Sequence, residues 1–78
     1  MQRFKLNAII WKEDAGFVSK CSELGVASAG DSLEDALRNL KEAVELYIEN
    51  ATELGMIGDF LPSLKAEEKF SSPIEVMA

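Results

Sequence analysis

A stripe of apolar residues in the middle of the chain constrains the fold more than any other feature. Its members recur at spacings of four and three, which places them on one side of an α-helix. They are Leu33, Leu37, Leu40, Val44, Tyr47, Ala51 and Leu54. Asp31 or Ser32 can cap the start of this helix, and Gly55 is suited to end it. The pattern therefore predicts a helix over about residues 32–54, whose apolar side has to be covered by another element.

The residues before this helix alternate between apolar and polar side chains, which is typical of strands in a sheet with one solvated face. The predicted strands cover residues 4–12, 16–21 and 26–29. The first two form a hairpin, and Gly16 in its turn is expected to adopt a positive φ. Ile9 and Trp11 interrupt the polar side of the first strand, so we expect that side to contact another element or a partner.

The segment after Gly55 carries weaker signals. Residues 74–77 alternate and predict a fourth strand, with Pro73 before it, where a missing backbone N–H is tolerated. The expected fold is therefore α+β: an antiparallel sheet in the order β-β-β-α-β, with one long helix packed on one face. A coiled coil accounts for the stripe less well, since the repeat lasts only about three heptads. The 78 residues are expected to form a single domain, residues 1–78, because two domains need a longer chain.

The composition narrows the classes of function. The chain has no histidine and a single cysteine, so we expect no disulfide, no metal site and no cofactor. Its net charge is −6, and its eight Lys and Arg residues are scattered, which disfavours direct binding to nucleic acid. The carboxylates at the helix start and in the hairpin turn are accounted for by capping and by solubility. We therefore assign no catalytic residue and expect that the protein is not an enzyme.

The small size of the chain favours association. A domain of this length is marginally stable by itself and usually needs a disulfide, a metal or a partner subunit. Since the first two are not expected, we predict a homo-oligomer, either a dimer or a tetramer. The N-terminal residues lack the apolar core of a signal peptide, and no run approaches the roughly 18 apolar residues that span a bilayer. A cytoplasmic protein is therefore expected.

Residues 16–37 carry a more specific pattern. A Gly-Phe-Val strand is followed by the turn at residues 21–24 (Cys-Ser-Glu-Leu) and by the helix start at residues 30–36 (Gly-Asp-Ser-Leu-Glu-Asp-Ala). This order resembles the HicB-like antitoxin family, although Ser22 stands where proline is usual and Ser32 where threonine is common. The helix pattern and the predicted last strand extend the resemblance over nearly the whole chain.

The resemblance implies a partial ribonuclease-H-like sheet with one helix, in a protein that binds and neutralises HicA, a small basic ribonuclease toxin. Longer members of that family also carry a C-terminal DNA-binding segment. Residues 55–78 contain neither a second long helix nor a basic stretch, so repression by direct DNA contact is not expected here. A second interpretation remains open, in which the chain is a solitary homo-oligomeric module with a small-ligand or regulatory role and no toxin partner.

The residues expected to contact a partner lie on two elements. Four glutamates on the helix are spaced three or four apart: Glu42, Glu45, Glu49 and Glu53. Like charges at that spacing repel each other, so this face is either simply solvated or attracts a basic protein. Leu46 lies off the apolar stripe beside them and is a further candidate contact. Ile9 and Trp11 on the first strand are the other candidates.

Overall fold

The computed structural model describes residues 3–77. Strands β1 (Ala8–Glu13), β2 (Gly16–Cys21) and β3 (Ala27–Gly30) precede a 21-residue helix, α1 (Leu33–Glu53). A short 3₁₀ helix (Ile57–Asp59) and a second helix, α2 (Leu61–Lys65), follow. The predicted α+β class, with an antiparallel sheet and one long helix, is confirmed.

The sheet has the strand order β1-β2-β3, and both pairs are antiparallel. Glu13 pairs with Gly16, so β1 and β2 are joined by a two-residue turn, Asp14-Ala15. Asp14 takes the positive φ of this turn, 50°, and Gly16 does not; the prediction for Gly16 is wrong, since aspartate tolerates this conformation. The lack of a side chain at Gly16 instead allows close packing of β2 against β3, because a Cβ there would lie 3.1 Å from the carbonyl oxygen of Gly30.

The bounds of two strands differ from the prediction. β1 begins at Ala8 rather than at residue 4. The backbone N–H of Asn7 donates to the side-chain carboxylate of Glu23 (3.0 Å), so this donor is not available to a neighbouring strand. β3 is shifted by one residue relative to the prediction and begins at Ala27.

The predicted fourth strand over residues 74–77 is wrong. The structure has no strand there, and residues 70–77 are exposed. Ile74 and Val76 are 83% and 79% exposed, so their alternation is not matched by a surface that buries one side. An alternating pattern sets which side chains share a face, but a strand also needs a neighbour whose backbone groups it can pair with. Within the described residues, β1 and β3 are therefore the edge strands of the sheet.

Helix α1 begins and ends within one residue of the predicted positions. Ser32 is the N-cap, and its hydroxyl oxygen accepts a hydrogen bond from the backbone N–H of Asp35 (3.1 Å). This satisfies one of the N–H groups that a first helical turn leaves free. At the other end Gly55 has a φ of 72°, and the N–H of Met56 donates to the carbonyl oxygen of Ala51 (2.8 Å). This is a Schellman ending, for which glycine is favoured.

The core lies between α1 and the sheet. Ser19 on β2 is fully buried, and its hydroxyl donates to the carbonyl oxygen of Ala36 on the helix (2.8 Å). Gly30 on β3 allows this close approach, because a Cβ there would lie 2.5 Å from the backbone nitrogen of Ala36. The buried apolar residues of the described chain are Cys21, Ala36, Leu40, Ala51 and Leu64.

The apolar stripe of α1 is only partly covered by the three-stranded sheet. Leu40 in the middle is buried, whereas Leu33 and Leu37 near the start are 49% and 46% exposed. Tyr47 packs edge to face against Phe60, with ring centroids 5.7 Å apart, so the segment after α1 covers part of the far end. Among residues 3–77, more large apolar side chains are exposed than are buried.

Candidate functional site

Four glutamates form a continuous acidic strip along the outside of α1. They are spaced three or four residues apart, on the side of the helix opposite the buried Leu40, and all of them are exposed. We call this strip the acidic ridge; it consists of Glu42, Glu45, Glu49 and Glu53. The structure therefore brings together the four helix glutamates that the sequence analysis selects.

Helix stability does not account for the acidic ridge. The ion pairs found among residues 3–77 join Arg38 to Asp35 and Lys69 to Glu23, so neither involves the ridge. Like charges three or four residues apart cost a few tenths of a kcal/mol per pair. Glu53 also lies in the last turn of α1, which contains no basic residue, and a negative charge there opposes the helix dipole by about 0.3–1 kcal/mol. The C-terminal half of the ridge is thus unfavourable for the isolated fold, whereas Glu42 and Glu45 each lie four residues after a basic residue, Arg38 and Lys41.

Leu46 gives the acidic ridge an apolar neighbour. It is 57% exposed and lies four residues after Glu42 and three before Glu49, which are the spacings at which helical side chains are adjacent. An apolar residue surrounded by charged ones reproduces, on a small scale, the apolar centre and polar rim of protein interfaces. Leu46 and the acidic ridge therefore lie side by side on the same face of α1.

The second surface is the side of the sheet that faces away from α1. Because side chains alternate along a strand, the residues next to the buried Ser19 on β2 point to this side. The register places two rows side by side on it: Trp11-Val18-Ala29 and Ile9-Lys20-Ala27. Apart from the lysine these residues are apolar, and we call the five apolar ones the outer sheet face.

The outer sheet face is not covered by any described part of the chain. Ile9 is 54% and Trp11 39% exposed, and Ala27 and Ala29 are exposed as well. An antiparallel sheet with one solvated face normally carries polar side chains on that face. The indole N–H of Trp11 donates to the carboxylate of Glu13, so the one polar group of this side chain is satisfied and the rest of the ring remains as apolar surface.

The two surfaces lie on opposite sides of the molecule. Helix α1 covers one side of the sheet and carries the acidic ridge on its own outer side, whereas the outer sheet face is on the far side of the sheet. The predicted partner residues therefore form two separate sites. The acidic ridge and Leu46 make one, and Ile9 and Trp11 belong to the other.

A third cluster surrounds Glu23 and has no counterpart in the sequence predictions. The Glu23 carboxylate accepts hydrogen bonds from the Asn7 backbone N–H (3.0 Å) and the Ser22 hydroxyl (3.0 Å). The Lys69 ammonium group donates to the same carboxylate (2.7 Å) and to the carbonyl oxygen of Lys5 (2.9 Å). Lys69 is far from Glu23 along the chain, and no local sequence pattern signals a pairing over that distance.

These surroundings lower the pKa of Glu23 from 4.5 to about 2. Burial is the largest single effect and raises the pKa, because it penalises the charged form; only 6% of the side chain is exposed. The hydrogen bonds from Lys69, from the backbone of Asn7 and of Glu23 itself, and from Ser22 together outweigh burial and lower the pKa. The cluster thus ties the segment after α2 to the turn that follows β2.

Neither a metal site nor a membrane-spanning helix is found among residues 3–77. Within residues 3–77, no group of three or more Cys, Asp or Glu side chains is arranged to hold a metal ion. Over the same residues, no helix has both the length and the apolar character that crossing a membrane requires.

Comparison with known proteins identifies the family. A family model described as a family of unknown function (DUF7387) matches residues 5–57. The chain belongs to this family. The matched residues include the three strands and α1, so the acidic ridge and the outer sheet face both lie inside the DUF7387 region, whereas Lys69 lies outside it.

Two relatives resemble the chain over nearly its whole length. A UPF0150 protein of Helicobacter pylori (strain J99 / ATCC 700824) is 38% identical over 72 residues, which cover 91% of this chain and 93% of the relative. The UPF0150 protein ssr1765 of Synechocystis sp. (strain ATCC 27184 / PCC 6803 / Kazusa) is 33% identical over 78 residues, covering 97% of this chain and 91% of the relative. No solved structure matches the chain.

Proposed function

We propose that this DUF7387 protein is an antitoxin-like binding module that neutralises a small basic ribonuclease toxin of the HicA type by covering its surface. The resemblance of residues 16–37 to HicB-like antitoxins supports this role. The observation that carries it is the acidic ridge, which is exposed and is not engaged by either ion pair of the described chain, and whose C-terminal half is unfavourable for the fold by itself.

The dimensions of the acidic ridge suit a protein partner. From Glu42 to Glu53 the helix rises about 16 Å at 1.5 Å per residue, which is long enough to meet several basic side chains at once. A strip of one sign of charge steers a partner of the opposite sign and raises its association rate. Leu46 supplies apolar contact in the same surface.

Neutralising a toxin by covering its surface requires binding but no catalysis. The proposal therefore assigns no catalytic residue and no cofactor to the chain. It places the protein in the cytoplasm, because that is where a ribonuclease toxin meets its RNA.

Co-expression tests this function. The product of a neighbouring gene that encodes a small basic protein is induced in a bacterial host, alone and together with this chain. Growth arrest by that product, relieved by co-expression and accompanied by a complex of fixed stoichiometry, is the expected result. Growth arrest that persists with no complex contradicts the proposal and favours the solitary homo-oligomeric module.

A further inference from the structure

Half of the basic residues of the chain line one cavity, although they are scattered along the sequence. The cavity has a volume of about 440 Å³ and lies between residues 3–7 and residues 64–69. Four of the eight Lys and Arg residues of the chain are in its lining: Arg3, Lys5, Lys65 and Lys69. Among the described residues the lining has a single acidic member, Glu67. We call this space the basic cavity.

Lys69 is held in place in the wall of the basic cavity. Its ammonium group donates to the Glu23 carboxylate (2.7 Å) and to the carbonyl oxygen of Lys5 (2.9 Å). An ammonium group has three N–H donors, so one is left for a ligand. The other three basic side chains of the cavity take no part in the ion pairs found among residues 3–77. The protein therefore balances the positive charge of the cavity only in part.

From this arrangement we infer that the basic cavity binds a small molecule that carries phosphate groups and an apolar or aromatic part. The basic side chains supply charge-assisted hydrogen bonds to phosphate oxygens. The half-buried Phe4 and Leu6 and the buried Leu64 line the same cavity, and they supply contact for the apolar part. The volume falls within the range of about 300–1,000 Å³ that is typical of small-molecule sites. This inference goes beyond the proposed antitoxin role and does not depend on it.

The net charge of −6 limits the size of the ligand but does not exclude it. Exposed charges act over about 8 Å at physiological ionic strength, so a small anion inside the basic cavity is governed by the basic groups around it. A long nucleic acid would also extend over the rest of the chain, which is strongly acidic because half of the basic residues lie in the cavity. A free nucleotide is therefore favoured over the end of an RNA strand, although both present the same phosphate group.

A titration of the full chain with ADP, followed by amide NMR spectra at low ionic strength, tests the inference. ADP supplies phosphate groups and an aromatic ring, and adenosine is the matched probe without phosphate. We expect ADP to cause saturable shifts in the amide signals of residues 3–7 and 64–69, and adenosine to cause none. The absence of these shifts at millimolar ADP contradicts the inference, as does binding of adenosine as tight as that of ADP.

Substitutions of lysines locate the binding site. Lys5→Gln/Lys65→Gln removes two charges from the basic cavity and is expected to raise the dissociation constant for ADP by about tenfold. Its control, Lys12→Gln/Lys20→Gln, removes two exposed charges outside the lining and is expected to bind ADP like the wild type. Equal weakening by the two variants contradicts the inference. The same spectra show whether each variant is folded, and Arg3→Gln, at an exposed position before β1, replaces the first variant if it is not.

An RNA oligonucleotide with a terminal phosphate distinguishes the two sources of the phosphate group. The oligonucleotide is expected to bind no more tightly than ADP, because its remaining phosphates meet the acidic part of the chain. An oligonucleotide that binds more tightly than ADP contradicts the assignment of the basic cavity to a small ligand.

Discussion

The ammonium nitrogen of Lys69 lies 2.7 Å from a carboxylate oxygen of Glu23, although the two residues are 46 positions apart in the chain. This contact is the ion pair that holds the segment after α2 against the turn following β2. Replacing Lys69 by Met leaves the nearly buried Glu23 carboxylate without its charged partner. We expect a loss of about 1–3 kcal/mol in the free energy of unfolding, measured by urea denaturation.

Lys65→Met is the matched control for this change. Lys65 is exposed and takes part in neither ion pair of residues 3–77, so its replacement removes the same charge and is expected to alter stability by no more than about 0.5 kcal/mol. Equal effects of the two substitutions would show that the Lys69–Glu23 pair contributes nothing specific.

The pKa of Glu23 predicts how this contribution depends on pH. The folded-state pKa is about 2, below the ordinary 4.5, so the carboxylate stabilises the fold above pH 4.5, and this stabilisation is lost as pH falls toward 2. The difference in unfolding free energy between the wild type and Glu23→Gln isolates this group from the other carboxylates. This difference in free energy is expected to be constant from neutral pH to about 4.5 and to diminish below that. A difference that grows on acidification would contradict the prediction.

Gly30 is predicted to tolerate no side chain. A Cβ at this position would lie 2.5 Å from the Ala36 nitrogen and 2.7 Å from the Asp35 side chain, so Gly30→Ala has to push β3 away from α1. We expect a cost of about 1–3 kcal/mol, seen as a lower melting temperature. Gly58→Ala is the control, because a Cβ there meets nothing within 4 Å. A Gly30→Ala protein as stable as the control would contradict the packing described here.

The acidic ridge is predicted to lower the stability of the chain. Glu53→Gln removes one repulsive pair with Glu49 and one unfavourable interaction with the helix dipole, so it is expected to stabilise the fold by about 0.5–1 kcal/mol. For a domain of this size that corresponds to a rise of about 2–8 °C in melting temperature. Glu34→Gln, in the first turn where acidic residues are favourable, is expected to have the opposite sign. A ridge variant that is less stable than the wild type would mean that the ridge belongs to the fold and not to a partner.

Most of the fold follows from local patterns in the sequence. The spacing of Leu40 and its apolar neighbours, the Ser32 cap and the Gly55 ending each depend on residues only a few positions apart, and they predict both ends of α1 to within one residue. The hairpin follows from alternation in the same way. The acidic ridge could also be predicted, because helical periodicity alone places its four glutamates on one side.

The features that the sequence did not reveal depend on contacts between distant residues. Glu23 takes the N–H of Asn7 and so delays the start of β1, and no pattern within either segment indicates this. Residues 74–77 alternate between apolar and polar side chains as a strand does. They can form a strand only if the edge of a neighbouring strand is available for backbone hydrogen bonds. Leu33 and Leu37 belong to the same stripe as the buried Leu40 but remain exposed, because which part of a stripe is covered depends on the assembled fold and not on the helix sequence alone.

The proposed role as a module for a basic partner is tested most directly by the association rate with the basic toxin, measured at low ionic strength. The double variant Glu45→Lys/Glu49→Lys reverses two charges on the acidic ridge. Its control, Glu67→Lys/Glu68→Lys, reverses two exposed charges of the same kind away from α1. The account predicts that the ridge variant associates about tenfold more slowly or worse, while the control stays close to the wild type. Equal association rates of the two variants would contradict it, because the position of the reversed charges on the acidic ridge would then make no difference to binding.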